Sequence, residues 1–325
     1  MKIAVTGSIA TDHLMHFPGR FSGQLIAEKL DKVSLSFLVD DLVLRRGGIA
    51  ANICYGMAQL GLSPILVGAV GADFDDYRAH LKSFGVDCDS VYVSDTAHTA
   101  RFVCTTDEDM CQIASFYAGA MAEAGNIGLA PIVERTQGLD LVLVSANDPA
   151  AMLRHSAECR ELGLRFAADP SQQLARLDGD GVRQLITGAE FLLTNEYEKE
   201  LLESKTGLSD AEVLDFVRVR VTTLGKDGVE ITGRGMEPIH VPVAREIKAY
   251  DPTGVGDGFR AGFFSALSWG LPLRRAAEIG SLMATLVLET VGTQEYTVGR
   301  EDFVKRLGES YGPASAAEAA GYLGV

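Results

Sequence analysis

The sequence predicts an α/β fold: a doubly wound sheet flanked by helices, with a small β-sheet lid. Three observations carry that prediction. Short apolar runs recur at KIAVTG, ILVGAV, LDLVLVSA, LRFAAD, EFLLTN and VRVTTLG, each the length of a buried strand. Helical spacing fills most of the gaps between them, as right-handed βαβ crossovers require. Two stretches, KVSLSFLVDDLVLR (Lys32 to Arg45) and HTARFVCTTDEDMCQIASFYAG (His98 to Gly119), alternate instead with period two.

In chain order, KIAVTG forms the first strand, and a glycine pair at Gly47 and Gly48 opens a helix from Ile49 to Gly61. A strand from Ile65 and a helix from Asp75 to Phe84 follow. The second period-two stretch reads as a hairpin with TDEDM at its tip. Strands from Leu139, Leu164, Glu190 and Arg218 then alternate with helices at Pro149 to Leu162 and Glu196 to Thr206. From Leu271 onward the pattern is helical throughout, with Pro272 near a helix start. The two period-two stretches, read as antiparallel strands, make a lid from insertions at about 13–45 and 97–120 of a single domain spanning 1–325.

At 325 residues with 47% apolar and 22% charged content, the chain is long enough for one large core. A net charge of -15 and no extended Lys/Arg cluster exclude a nucleic-acid or anionic-membrane gripper. The five cysteines form no CxxC pair, which speaks against a disulfide framework or zinc site and for a reducing compartment. The start turns polar too soon for a secretory core, and no apolar run reaches membrane-spanning length, so the expected location is the cytoplasm.

The stretch DPTGVGDGFRAGF, Asp251 to Phe263, concentrates the chemistry. Gly254 and Gly256 expose backbone amides where a helix begins, a natural anion site. A carboxylate there, Asp257, is awkward for plain phosphate binding unless it handles a proton while charge develops. A tight turn capped by Asp257 explains the same letters. In RRGGIAANICYGMAQLG, Gly48 lets a ligand approach the backbone, and Asn52 one turn later could bridge to a polyol hydroxyl. Asp12, after the first strand at the carboxyl edge of the sheet, could accept two hydroxyls. Capping alone also accounts for Asp12 and Asn52. In TNEYE, Asn195 and Glu198 share a helix face and suit a hydrated Mg²⁺ or a helix cap. Gly225 and Gly228 in TTLGKDGVEI offer bare backbone for a nucleotide, or a hairpin turn. Gln172 and Gln173 in DPSQQLAR suit a purine edge. Phe102 and Phe116 could stack on a flat base, or hold the lid strands together.

Taken together, GGIAANICYGMAQLG, the Asn195/Glu198 pair and DPTGVGDGFRAGF resemble the ribokinase-like carbohydrate and nucleoside kinases, the phosphofructokinase-B family, over essentially the whole chain. That resemblance implies MgATP-dependent phosphoryl transfer to an alcohol. Asp257 would be the base, with the Gly254, Val255 and Gly256 amides holding the transferring group. The strings VTGSIATDHL, VSLSFLVDDL, TAHTARF and DPSQQLAR are similar to the actinobacterial type of adenosine kinase within that family. The likeness implies adenosine as acceptor, giving AMP and ADP, with another nucleoside or a furanose sugar as the alternative. It assigns Ser8, Asp12, Gly48, Asn52, Phe102, Phe116, Gln172 and Gln173 to the nucleoside. Asn195, Thr223, Gly225, Gly228, Gly256 and Arg176 go to ATP, and Glu198 to Mg²⁺ through water.

Cys54, Val255 and Gly258 depart from the usual signature residues without removing a functional group. Asp251 and Thr253, with the turn from Leu288 to Gln294, resemble the family's site for a monovalent cation such as K⁺. Lid strands bearing Val33, Leu35, Phe37, Val39 and Val103 would leave an apolar outer face, which a homodimer through the lid would cover.

Overall fold

The run Ile3–Thr6 buries every side chain, as a strand covered on both faces must. It is β1 of the computed structural model, which describes residues 1–24 and 35–325. β2 (Ala10–His16) and β3 (Asp41–Gly47) follow, and α1 (Ile49–Gln59) leads to β4 (Ile65–Val67). Next come β5 (Ala69–Val70), α2 (Asp75–Ser83), β6 (Tyr92–Val93), β7 (Ala100–Thr106) and β8 (Gln112–Tyr117). The central part alternates as α3 (Ala130–Thr136), β9 (Leu141–Ser145), α4 (Pro149–Glu161), β10 (Phe166–Asp169), α5 (Gly179–Ile186), β11 (Ala189–Asn195) and α6 (Glu196–Thr206). α7 (Asp210–Val213), β12 (Val217–Thr223), β13 (Val229–Gly233) and β14 (Ile239–Val241) precede α8 (Val255–Ser268), α9 (Leu273–Leu288), α10 (Arg300–Tyr311) and α11 (Pro313–Leu323).

Among the described residues the main sheet runs β14-β13-β12-β11-β10-β9-β1-β4, parallel from β12 to β4. Alternate strand residues serve opposite layers. Ile3, Val5, Leu141 and Leu143 pack with α1, α8 and α9, whereas Ala4, Val142 and Val144 pack with α4 and α5. The strand order reverses between β9 and β1, so a crevice forms outside their carboxyl ends. There Ser8 N–H donates to the Ala146 carbonyl at 2.9 Å. A second sheet, β3-β2-β7-β8, stands apart from the first.

Several expectations change. The sheet is mixed, because the turn from Leu224 to Gly228 is too short for a crossover and makes β12 and β13 an antiparallel hairpin. Ala10–His16 is a strand of the small sheet, so Asp12 lies there rather than at the edge of the main one. The small sheet is not wholly antiparallel, since β2 pairs with β7 in parallel. Residues 35–39 of VSLSFLV are not a strand; Phe37 instead packs on Phe17 and Phe21, with ring centroids 5.0 and 4.9 Å away. Lys32 and Val33 lie outside the described residues. The C-terminal part is not helical throughout, because residues 289–299 form a loop between α9 and α10.

Helices α8 and α9 approach closely through their small residues. A β-carbon at Gly262 would fall 2.7 Å from the Ile279 carbonyl and 2.8 Å from Gly280 Cα. Gly262→Ala should therefore destabilise the fold by about 1–3 kcal/mol in urea unfolding, despite alanine's higher helix propensity. An increase in stability would contradict this packing.

Candidate active site

Helix α8 begins at Gly254, whose φ of 78° suits glycine and whose β-carbon would meet Thr293 Cγ2 at 2.9 Å. The amides of Gly254, Gly256 and Asp257 have no acceptor among the described residues, whereas that of Val255, also expected to hold the transferring group, donates to the Pro252 carbonyl at 3.3 Å. With the helix dipole they make an anion-attracting mouth. Asp257 sits in it, half-buried, and accepts a hydrogen bond from Asn52 Nδ2 at 2.8 Å. Burial lifts its carboxyl to about 7, with Asn52 and Arg260 opposing the rise and Asp169 adding to it. A carboxyl tuned to that range suits proton transfer near neutral pH.

Arg260, one turn beyond Asp257, organises the surroundings. Its Nε and Nη2 donate to the two oxygens of the fully buried Asp169 at 2.6 and 2.5 Å, a bidentate fork. Its Nη1 donates to the Gly256 carbonyl at 3.0 Å, tying the turn to the end of β10. Burial works against its charge, but Asp169 outweighs that and holds the guanidinium protonated. Sequence reading assigned no role to Arg260 or Asp169. The available signal was an arginine three residues after the aspartate on an otherwise apolar helix face.

Across the mouth lie the residues expected to meet the acceptor. Ser8 Oγ accepts the Ile49 amide at 3.0 Å and thereby caps α1. Gly48, at φ 93°, leaves no room for a β-carbon, which would fall 2.6 Å from the Ala10 amide nitrogen. Asn52 is buried at 6% exposure. Asp12, Phe102 and Phe116 stand in one row, Asp12 opposite Phe102 and Phe102 opposite Phe116, so they share a face of the small sheet. Phe116 is 53% exposed. Burial raises the Asp12 carboxyl, with Arg45 opposing. Arg45, on the same face opposite Asp12, reaches Glu295 at 3.7 Å, so this face turns toward the loop after α9. Gln173 is buried with its Oε1 unpartnered among the described residues, whereas Gln172 is exposed and accepts the Ser171 hydroxyl at 2.6 Å. Ser171 itself holds a left-handed φ of 46°, a strained non-glycine backbone beside the site.

The residues expected at the nucleotide line the ends of β11 and β12. Asn195 and Thr223 are register partners, and Gly225 and Gly228 form the following turn. Arg176 is exposed on the segment after β10. Asn195 and Glu198 make a reciprocal capping box at 2.7 and 2.8 Å. Burial raises the Glu198 carboxyl, while the Asn195 amide and Arg260 oppose the rise. No cluster of three or more metal-ligating side chains occurs among the described residues. A lone carboxylate with one oxygen already engaged fits a hydrated Mg²⁺ and not a protein cage. Asp251 accepts the Thr253 and Gly292 amides at 2.9 and 3.1 Å and clamps the two loops together. Burial would lift its carboxyl, but those amides and Arg45 hold it below the ordinary range.

No helix among the described residues is long and apolar enough to cross a membrane. The chain resembles the nucleoside kinase of Methanocaldococcus jannaschii, 27% identical over 94% of this chain and 96% of that one. It matches the nucleoside kinase of Methanothermobacter thermautotrophicus at 29% over 95% and 96%. It also superposes on the structure of Burkholderia thailandensis nucleoside kinase in complex with inosine, with a TM-score of 0.82, 31% identity, and 95% and 98% coverage. The model of the pfkB family of carbohydrate kinases matches residues 16–298, and with the glycine-mouthed α8, its aspartate and the main and small sheets in place, the chain belongs to that family.

Proposed function

We propose that the protein transfers the γ-phosphoryl group of MgATP to the 5′-hydroxyl of a nucleoside, with adenosine the favoured acceptor, giving AMP and ADP. The feature that carries this reading is the Asp12–Phe102–Phe116 row, an aromatic platform beside a carboxylate, on a sheet whose Arg46 carbonyl accepts from Thr293, the residue that packs on Gly254 at the amide mouth. A flat base can stack on the phenylalanines while the ribose hydroxyls meet Asp12 and Asn52. The buried, unpartnered Gln173 carbonyl suits an exocyclic amine such as that of adenine. The inosine complex of the Burkholderia relative favours a second reading, in which another nucleoside is the acceptor.

In the reaction Asp257 takes the hydroxyl proton as the new O–P bond forms and the bond to ADP breaks. The free amides of Gly254, Gly256 and Asp257 hold the phosphoryl oxygens. Asn195, Thr223, Gly225, Gly228 and Arg176 would meet ATP. Mg²⁺, held by Glu198 through water, would neutralise phosphate charge when bound. Backbone oxygens near Asp251 and Thr253 would serve a monovalent cation such as K⁺. The five free thiols are in keeping with a cytoplasmic setting.

ADP release should be faster with adenosine or inosine than with ribose or fructose. Phe116→Ala should narrow that gap by the ~0.5–1.5 kcal/mol that stacking is worth beyond area. Ribose preferred over both nucleosides would overturn the reading.

Asp257→Asn should lower turnover by roughly 10²–10⁴ with little change in acceptor affinity. Its carboxyl rises from 3.8 to about 7 on folding, so its stabilising share is complete below 3.8 and is lost as pH rises through about 7. The variant, which cannot ionise, should gain melting temperature over the parent on going from about pH 5 to about pH 8. A constant gap would contradict the raised value.

A homodimer through the small sheet completes the proposal. Leu42, Leu44, Val103, Ile113 and Tyr117 share the face opposite the Asp12 row, and all but Val103 are exposed. Pairing identical faces about a two-fold axis would cover both. Light scattering should give about twice 34.7 kDa, falling to 34.7 kDa in Leu44→Asp. A parent of 34.7 kDa at micromolar concentration would exclude the dimer.

A further inference from the structure

Asn52 is the last link of a buried chain of hydrogen bonds that ends on Asp257. Tyr77 donates its phenolic proton to the Gly47 carbonyl at 2.9 Å. Gln294 Nε2 donates to the Tyr77 oxygen at 2.5 Å and to Asn52 Oδ1 at 2.8 Å. Asn52 Nδ2 then donates to Asp257 Oδ2 at 2.8 Å. Tyr77 and Gln294 are each 4% exposed and Asn52 6%, so water does not substitute for these partners.

The direction of the chain follows from its far end. A backbone carbonyl can only accept, so the Tyr77 phenol spends its one proton on Gly47 and can only accept from Gln294. Gln294 must therefore present its amide nitrogen, which also faces Asn52. Asn52 must accept on its oxygen and turn its own nitrogen to Asp257. The reverse direction would place the Asn52 oxygen against Asp257, requiring a protonated acid there, and would strip Gly47 of its donor. The forward direction leaves the Gln294 Oε1 buried without a well-formed hydrogen bond among the described residues, with only the His80 ring of α2 to support it. An orphaned acceptor of that kind has a cost, and here it accompanies the orientation that supports a carboxylate.

We infer that Tyr77 and Gln294 are positioning residues that hold the Asn52 amide with its nitrogen toward Asp257 and so keep the phosphoryl-transfer base in its proton-accepting form. This rests on Asp257 being that base. The second N–H of Asn52 is then available for the acceptor hydroxyl, bringing base and hydroxyl onto one amide. Among the described residues, the charged and titratable groups facing Asp257 are Arg260 of its own helix, Asp169 of β10 and Tyr296 after α9, with Glu198 of α6 acting on Arg260. From α1 comes the neutral Asn52, and α9 presents Met283 and Val287 to the start of α8. None of these groups is altered by changing Tyr77 or Gln294; the titratable ring that those two residues do face is His80 of α2, which burial holds below its ordinary value while Gln294 opposes that fall, and the titration of the Asp257 carboxyl itself separates the two.

The test is the pH dependence of kcat/KM in Tyr77→Phe and Gln294→Met, with MgATP and whichever of adenosine and inosine the parent uses. Without the relay the acidic limb should move up by about 0.5–1 pH unit, with activity returning to within about threefold of the parent near pH 9. KM for both substrates should stay within about threefold. Carbon-detected NMR titration of the Asp257 carboxyl in the free variants should show the same upward shift and needs no turnover. A loss of activity equal at every pH, with an unmoved Asp257 titration, would make the relay merely structural and overturn the inference. Asp257→Asn separates the two levels. An active Asp257→Asn removes the base assignment itself, whereas an inactive one beside unmoved profiles removes only the relay.

Discussion

The site depends on one buried guanidinium. Arg260 stands where Asp169, Glu198 and Asp257 converge, and without its charge three carboxyl groups would face one another in a poorly hydrated crevice. Its fork fixes the end of β10, while its remaining nitrogen fixes the Gly256 carbonyl. The amide mouth and the DPSQQ segment are thereby held as one piece. Removing one partner of such a buried pair typically costs about 3–5 kcal/mol, much of it from the charge left behind. The cluster is balanced closely enough that Asp257 is neither a permanent anion nor a permanent acid.

Around that charge the two sheets divide the work. The main sheet reverses strand order between β9 and β1 and so leaves a crevice at its carboxyl ends. The small sheet contributes a row of acid and aromatics through strict cross-strand register, Asp12 to Phe102 to Phe116. Contacts from Arg45 to Glu295 and from Thr293 Oγ1 to the Arg46 carbonyl, the latter 2.9 Å, join that sheet to the loop after α9. The same loop carries Gln294, so the segment that braces the small sheet also reaches Asp257 through Asn52.

Much of this was legible in the residues because local patterns determine it. Apolar runs marked β1, β9, β10 and β11, and the glycines around Asp257 marked the mouth of α8. What escaped depends on contacts distant in sequence. Ala10–His16 is too polar to read as a strand until β3 and β7 flank it. The alternation in VSLSFLV resembled a strand, yet Phe37 satisfies its apolar need in an aromatic cluster with Phe17 and Phe21. Asn195 and Glu198 signalled both a cap and a metal ligand, and their backbone bonds make the cap explicit. Tyr77 and Gln294 carried no local signal, because their meeting requires α2 and the loop after α9 to converge on Asn52.

The claim at the centre of this account is that the mouth of α8 delivers a phosphoryl group to a nucleoside hydroxyl under the control of Asp257. Phosphorus NMR of the protein with MgATP and adenosine, followed by the same experiment with inosine, examines the product itself. The account predicts ADP and a nucleoside 5′-monophosphate appearing in equal amounts with at least one of the two acceptors. ADP accompanied only by inorganic phosphate, with both nucleosides unchanged, would contradict it.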